Sequence, residues 1–200
     1  MIANIDEVVA LGARLAATIS ESLRIRTPGC SETELNRIRQ LFPEMPGAYL
    51  DLAGKIDLRD VELGGFSLAP RCVPGDGLCR RLMMANGADA GMTPWLKKQM
   101  SYEVAVMEVC SVAIVHSKGD FEPGSVIIFD DSNLNSPAQI LVGEFLHFVL
   151  LAANLEEIWL EMPDDPIGEG HWQELERRMP LIVPTIGADE VKTWNRLLCG

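Results

Sequence analysis

Asp130 and Asp131 stand side by side where an apolar strand, SVIIFD, gives way to a polar turn. Adjacent carboxylates at a strand end suit a metal-ligand pair, or a general acid and base. That chemistry needs convergence. Neighbouring residues of an extended strand point to opposite faces, so the pair meets a single ion poorly. No third carboxylate is marked to complete a site. Ser132, Asn133, Asn135 and Pro137 follow, and these are turn and helix-cap residues. The turn reading outweighs the metal reading, and a metal-dependent hydrolase using Asp130 and Asp131 stays as the lesser alternative.

Thiols and imidazoles offer no better constellation. Cys72 and Cys79 are seven apart, too far for a zinc knuckle, and His116, His147 and His171 match neither by spacing. His147 sits between Phe145 and Phe148 in an apolar helical run and reads as a core or edge histidine. Cys110 lies in a β-rich run and reads as a small core residue. The glycine-bearing stretches PGDG and NGADAG are neither a phosphate loop nor a dinucleotide fingerprint. The expectation is a protein that is not an enzyme and holds no metal or cofactor.

Charge is the stronger signal. The net charge of −12 falls entirely on residues 101–200, which carry seventeen acids against five bases. Between Asp120 and Glu176 there are thirteen acids and no Lys or Arg. Such a segment repels phosphates and anionic head groups, so nucleic acid and membrane surfaces are poor partners. A basic protein is a good one. Glu156, Glu157 and Glu161 surround Trp159, and Asp164 and Asp165 follow in the next loop. An aromatic anchor among steering charges is the make-up of a binding patch, against the plainer reading of a solvated face. With Asp130 and Asp131, these are the candidate partner-binding residues.

Several elements must position them. Val8, Leu11, Leu15, Ile19 and Leu23 repeat at helical spacing over residues 5–23. Ser31 and Glu34 read as a capping box before a helix carrying Leu35, Ile38 and Leu41. Pro43 and Pro46 bracket an exit into a short helix, PGAYLDLAGKI. ELGGFSLAP reads as extended, while 71–100 shows turn signals and a short amphipathic piece near Trp95. Residues 103–116 read as one strand, paired with SVIIFD in a hairpin. Residues 138–153 read as the strongest helix, with Asp130-Asp131 handing the chain to its N-terminus. HWQELERRMP and ADEVKTWNRLL read as helices, with Trp172 and Trp194 left either on the core or at a dimer seam. Strands run together and helices flank them, which predicts an α+β fold with a mainly antiparallel sheet.

The N-terminus has acids where an export leader needs bases, and the longest apolar run is broken by Glu144, His147 and Asn154. Five cysteines without framework spacing fit a reducing, cytoplasmic setting.

Two stretches together, SETELNRIRQLFPEMPGAYLDLA with GGFSLAP, and SVAIVHSKGDFEPGSVIIFDDSNLNSPAQILVGEFLHFVLLAAN, resemble the SUKH superfamily. That superfamily includes the yeast Smi/Knr cell-wall regulators and many bacterial immunity proteins. Its helix, Pro-flanked step and Tyr fall on Leu41 to Leu50, and its closing helix on Gly143 to Leu150. The chain departs at Ala53-Gly54-Lys55, where the family commonly has Asn-Gly. The resemblance implies a single domain over 1–200, with a SUKH-like core at about 30–154 and a helical extension at about 155–200. It also implies a cytoplasmic immunity protein that binds a cognate toxin, or a regulatory or scaffold module of the same fold.

Overall fold

Asn4 and Ser31 start the first two long helices. In the computed structural model, which describes residues 1–71, 73, 75–88, 90–91, 93–133, 135–163 and 168–199, the Asn4 side chain accepts from the Glu7 amide and opens α1 (Ile5–Thr18). Ser31 accepts from the Glu34 amide at 3.3 Å and opens α2 (Glu32–Leu41). The other half of the expected capping box does not form. The Glu34 carboxylate accepts instead from the Cys79 amide, at 3.1 Å. Cys79 lies in the first turn of α4 (Leu78–Asn86), whose cap residue Gly77 has no side chain to satisfy the bare amides. Between them, α3 (Gly47–Lys55) follows Pro46.

Six strands form one antiparallel sheet in chain order, each hydrogen-bonded to the next: β1 (Glu62–Leu63), β2 (Phe66–Ser67), β3 (Ser101–Met107), β4 (Cys110–Val115), β5 (Val126–Asp130) and β6 (Gln139–Val142). The helices α5 (Thr93–Lys98), α6 (Phe145–Glu161), α7 (Glu169–Ile182) and α8 (Ala188–Cys199) complete the α-helices among the described residues. The α+β expectation is met.

Four expectations about elements are corrected. The helical spacing over 5–23 carries α1 only to Thr18, and Glu21–Leu23 forms a separate short 3₁₀ turn. ELGGFSLAP is not one strand but a tight hairpin, because Gly64 and Gly65 take φ of +57° and +79° and reverse the chain. Residues 103–116 are two strands, β3 and β4, turned at Glu108 and Val109. Neither is a turn former, and Glu108 holds φ of +47°, so the apolar run hid its own reversal. Residues 138–153 are not one helix either. Gln139–Val142 pair with β5, and α6 begins only after Gly143 and Glu144. Asp130-Asp131 therefore lead to a strand rather than to a helix N-terminus. Short apolar runs do not distinguish the two states by periodicity.

Alternation along the strands divides the core. Val112, Ile114, Val126 and Ile128 face the main cluster, with Phe148, Leu151, Leu11 and Ile38 from the helices. Ala113, Val115, Ile127 and Phe129 face a smaller one under α5, where Trp95 lies 3.7 Å from Phe129, centroid to centroid. The C-terminal helices belong to the main core. Trp194 is fully buried beside Phe66 and Phe148, and its indole donates to the Leu141 carbonyl at 3.0 Å. Trp172 is buried as well, so both tryptophans pack within the chain. α6 runs unbroken through residue 154, where the sequence drew the edge of the SUKH-like core. Among the described residues, no helix is long and apolar enough to cross a membrane.

The Gly64 turn fixes how β1 and β2 meet α6. A Cβ there would lie 2.7 Å from the Ala152 carbonyl oxygen. Gly64→Ala is therefore expected to lose roughly 1–2 kcal/mol from the left-handed backbone alone. The loss would be read as a lower urea midpoint at unchanged slope.

Candidate functional site

The end of β5 is a hydrogen-bonded turn. One Asp130 carboxylate oxygen accepts from the Ser132 amide at 2.8 Å and from its hydroxyl at 2.6 Å. The Ser132 hydroxyl and amide hold the Asp130 carboxyl below its ordinary range. Asp131 accepts from the Ser111 amide at 3.1 Å, and its own amide donates to the Val109 carbonyl. Asp131 is exposed as a residue, but its carboxyl tucks against β4, and that desolvation pushes its pKa up. The two carboxylates thus serve different partners. Among the described residues, no group of three or more His, Cys, Asp or Glu is placed to hold a metal ion. Burial pushes the Cys30 thiol up to about 12 and raises Cys110 too, so neither is an activated nucleophile.

Helix α6 splits the expected acidic face in two. Glu157 is not a surface residue: it is only 6% exposed. Its carboxylate meets Arg178 at 2.8 Å, Arg14 at 2.9 Å and the Met1 nitrogen at 2.6 Å. Burial pushes the Glu157 carboxyl up, but these cationic partners outweigh it and leave it below its ordinary value. Arg178 also binds Glu161 at 2.5 Å and Glu174 at 2.7 Å. Acids that looked like a one-signed face are therefore gathered around a buried guanidinium from α7. Glu157 is withdrawn as a partner-binding residue, and Glu161, though exposed, is committed to Arg178. The sequence signal for this was Glu174 four residues before Arg178, a helical ion-pair spacing. Asp164 and Asp165 lie outside the described residues.

Glu156 turns the other way. It accepts from the Gly64 amide at 2.9 Å and, with Trp159, walls a recess of about 340 Å³. Glu62 of β1, Glu108 of the β3–β4 turn, Ser67 and Arg71 line the same space. Arg71 donates to the Glu108 carbonyl. Burial raises the Glu156 carboxyl, the Gly64 amide draws it back, and Glu62 raises it further. The Trp159 indole N–H is buried with no hydrogen-bond partner among the described residues.

The recess and the β5 turn share one corner of the molecule. The Asp131 amide bonds the carbonyl of Val109, the residue after Glu108 of the recess. The structure thus sets the Asp130-Asp131 turn beside the β3–β4 turn, whose Glu108 lines the recess of Glu156 and Trp159, and it removes Glu157 from that acidic corner. Glu62, Glu108 and Arg71 were missed because they lie in separate stretches that only the hairpin and the sheet bring together. A larger groove, about 810 Å³, lies elsewhere, between the start of α1, Thr27-Pro28 and the end of α3. Its lining is mainly aliphatic and backbone, with Asp6 opposed by Lys55, and it carries no one-signed field.

Set against known protein families, characterised proteins and solved structures, the chain matches none of them.

Proposed function

We propose that this chain is an immunity-type protein that binds and neutralises a basic toxin through its acidic corner. The observation that carries the reading is the meeting of Glu62, Glu108 and Glu156 with Trp159 at one recess, beside the β3–β4 turn onto which the Asp131 amide bonds. Charges there steer a basic partner into encounter, while an aromatic wall gives it area to bury. The SUKH resemblance supports the same reading and needs no catalytic residue, metal or cofactor. Cys30, Cys79, Cys110 and Cys199 are unpaired, which suits a reducing cytoplasm. Binding rather than catalysis also fits a corner where Asp130, Asp131 and Glu156 accept from backbone amides and a serine hydroxyl.

The experiment has two stages. Tagged protein is recovered from its native cells and stoichiometric partners are identified by mass spectrometry. The expected partner is basic, and its toxic activity disappears in the complex. Glu62→Lys combined with Glu108→Lys then slows association by roughly tenfold or more at low salt, a difference that shrinks as salt is added. Both residues are exposed, so the double variant folds normally. An unchanged on-rate would refute the electrostatic part. A basic partner without toxicity would make the chain a regulatory or scaffold module instead.

A further inference from the structure

We propose that the recess walled by Trp159 receives one arginine side chain of the bound partner. The inference rests on the protein-binding reading above and adds what the corner recognises. Three acidic residues line this space from three elements, Glu62 on β1, Glu108 on the β3–β4 turn and Glu156 on α6, against one basic residue of its lining, Arg71. Arg71 is turned onto the Glu108 carbonyl at one side, and among the described residues none of the three carboxylates is held in an ion pair. One oxygen of Glu156 is taken by the Gly64 amide, and the other has no partner among the described residues. A partly desolvated carboxylate beside a second acid is settled by an incoming cation.

The wall selects the kind of cation. Indole is the ring that attracts cations most strongly across its face. A planar guanidinium can stack on it and still direct its fork of donors at carboxylates, which a lysine ammonium cannot do. At about 340 Å³ the recess has room for one long side chain rather than for a folded segment. Burial of Glu156 has a further consequence. An arginine bound beside it draws its pKa down, so binding releases protons where Glu156 is partly protonated and tightens as pH rises.

The test uses the full-length chain and a blocked Gly-Arg-Gly peptide as probe. A blocked Gly-citrulline-Gly peptide, equal in shape and uncharged, is the control. Indole N–H resonances are followed by NMR, with Trp159 assigned from the Trp159→Phe variant. The arginine peptide is expected to move the Trp159 indole and Gly65 amide signals saturably, while the citrulline peptide moves neither. Glu62→Gln with Glu156→Gln weakens the arginine response at least about tenfold, since charge-assisted contacts are lost. Glutamine at 156 can still accept from the Gly64 amide, so the fold is kept. A silent Trp159 signal, or equal shifts with both peptides, overturns the proposal. If a basic partner is captured from cells while Trp159 ignores the peptide, the recess is wrong and the binding function stands. A saturable Trp159 response with no captured partner supports the recess and sinks the toxin-binding reading.

Discussion

Arg178→Ala is expected to destabilise the protein by about 3–5 kcal/mol, the cost of leaving a buried charge without its partner. Arg178 is 5% exposed and holds Glu157, Glu161 and Glu174 together, with a longer 3.5 Å contact to Asn154. Its removal strands Glu157, which is itself 6% exposed. Arg14 and the Met1 nitrogen still face that carboxylate, so the loss should fall toward the lower end. Urea unfolding followed by circular dichroism reads the change. The pair itself contributes little compared with an apolar substitute, because desolvation offsets most of its attraction. Arg178→Met combined with Glu157→Leu is therefore expected to recover most of the loss. If the single variant costs under about 1 kcal/mol, the network is solvated and Glu157 returns to the surface candidates. The acid limb offers a second readout. Arg177 and Arg178 hold the Glu174 carboxyl at about 2, from an ordinary 4.5. Its folded pKa is depressed, so this contribution is present above 4.5 and is lost as pH falls through about 2. The Arg178 variants should show less of that loss.

The same network explains what could be read from the sequence. Helical spacing located α1, though not its end at Thr18, and Ser31 and Pro46 located α2 and α3, because these signals act locally. The antiparallel class followed from clustered strands. Strand ends did not, because Glu108-Val109 turn the chain without turn residues and Gln139–Val142 is as apolar as the helix after it. The site was half legible. Asp130 does end a strand in a turn, as its neighbours Ser132 and Asn133 implied. The charge run gave the sign of the corner but not its membership. A count along the chain treats Glu156 and Glu157 alike, whereas adjacent positions on a helix point about 100° apart. One therefore meets the Gly64 hairpin and the other meets Arg178.

Glu103 carries the second large effect, and it is one the charge count ignored. It is 8% exposed on β3, and its carboxylate accepts from the Ser111 hydroxyl at 3.1 Å. Its backbone is clasped by Asn86 of α4, at 2.7 and 3.0 Å. Burial is the main cause that pushes its pKa up from 4.5 to about 7; Ser111 draws it back, Asp131 raises it, and Arg71 lowers it a little. The folded protein thus keeps a proton that the unfolded chain gives up above 4.5. Its contribution is complete below 4.5 and is lost as pH rises through about 7. Over that interval the loss amounts to about 3 kcal/mol. Wild-type stability is therefore expected to fall between pH ~5 and ~8, and Glu103→Gln should remove most of the fall. The variant keeps an acceptor for Ser111 and should exceed the wild type at pH ~8 by about 2–3 kcal/mol. Comparing the two profiles cancels the titrating groups not coupled to Glu103, among them His116, whose pKa burial lowers. Asp131→Asn is the intermediate case: it removes the neighbouring charge and should shrink the fall without abolishing it. Parallel profiles for wild type and Glu103→Gln would mean that Glu103 ionises freely and that solvent reaches this end of the sheet. If the profiles diverge as expected, the acidic corner gains a charge from beneath as pH passes 7, next to Asp131. Binding of a basic partner would then strengthen over the same interval in which the fold itself weakens.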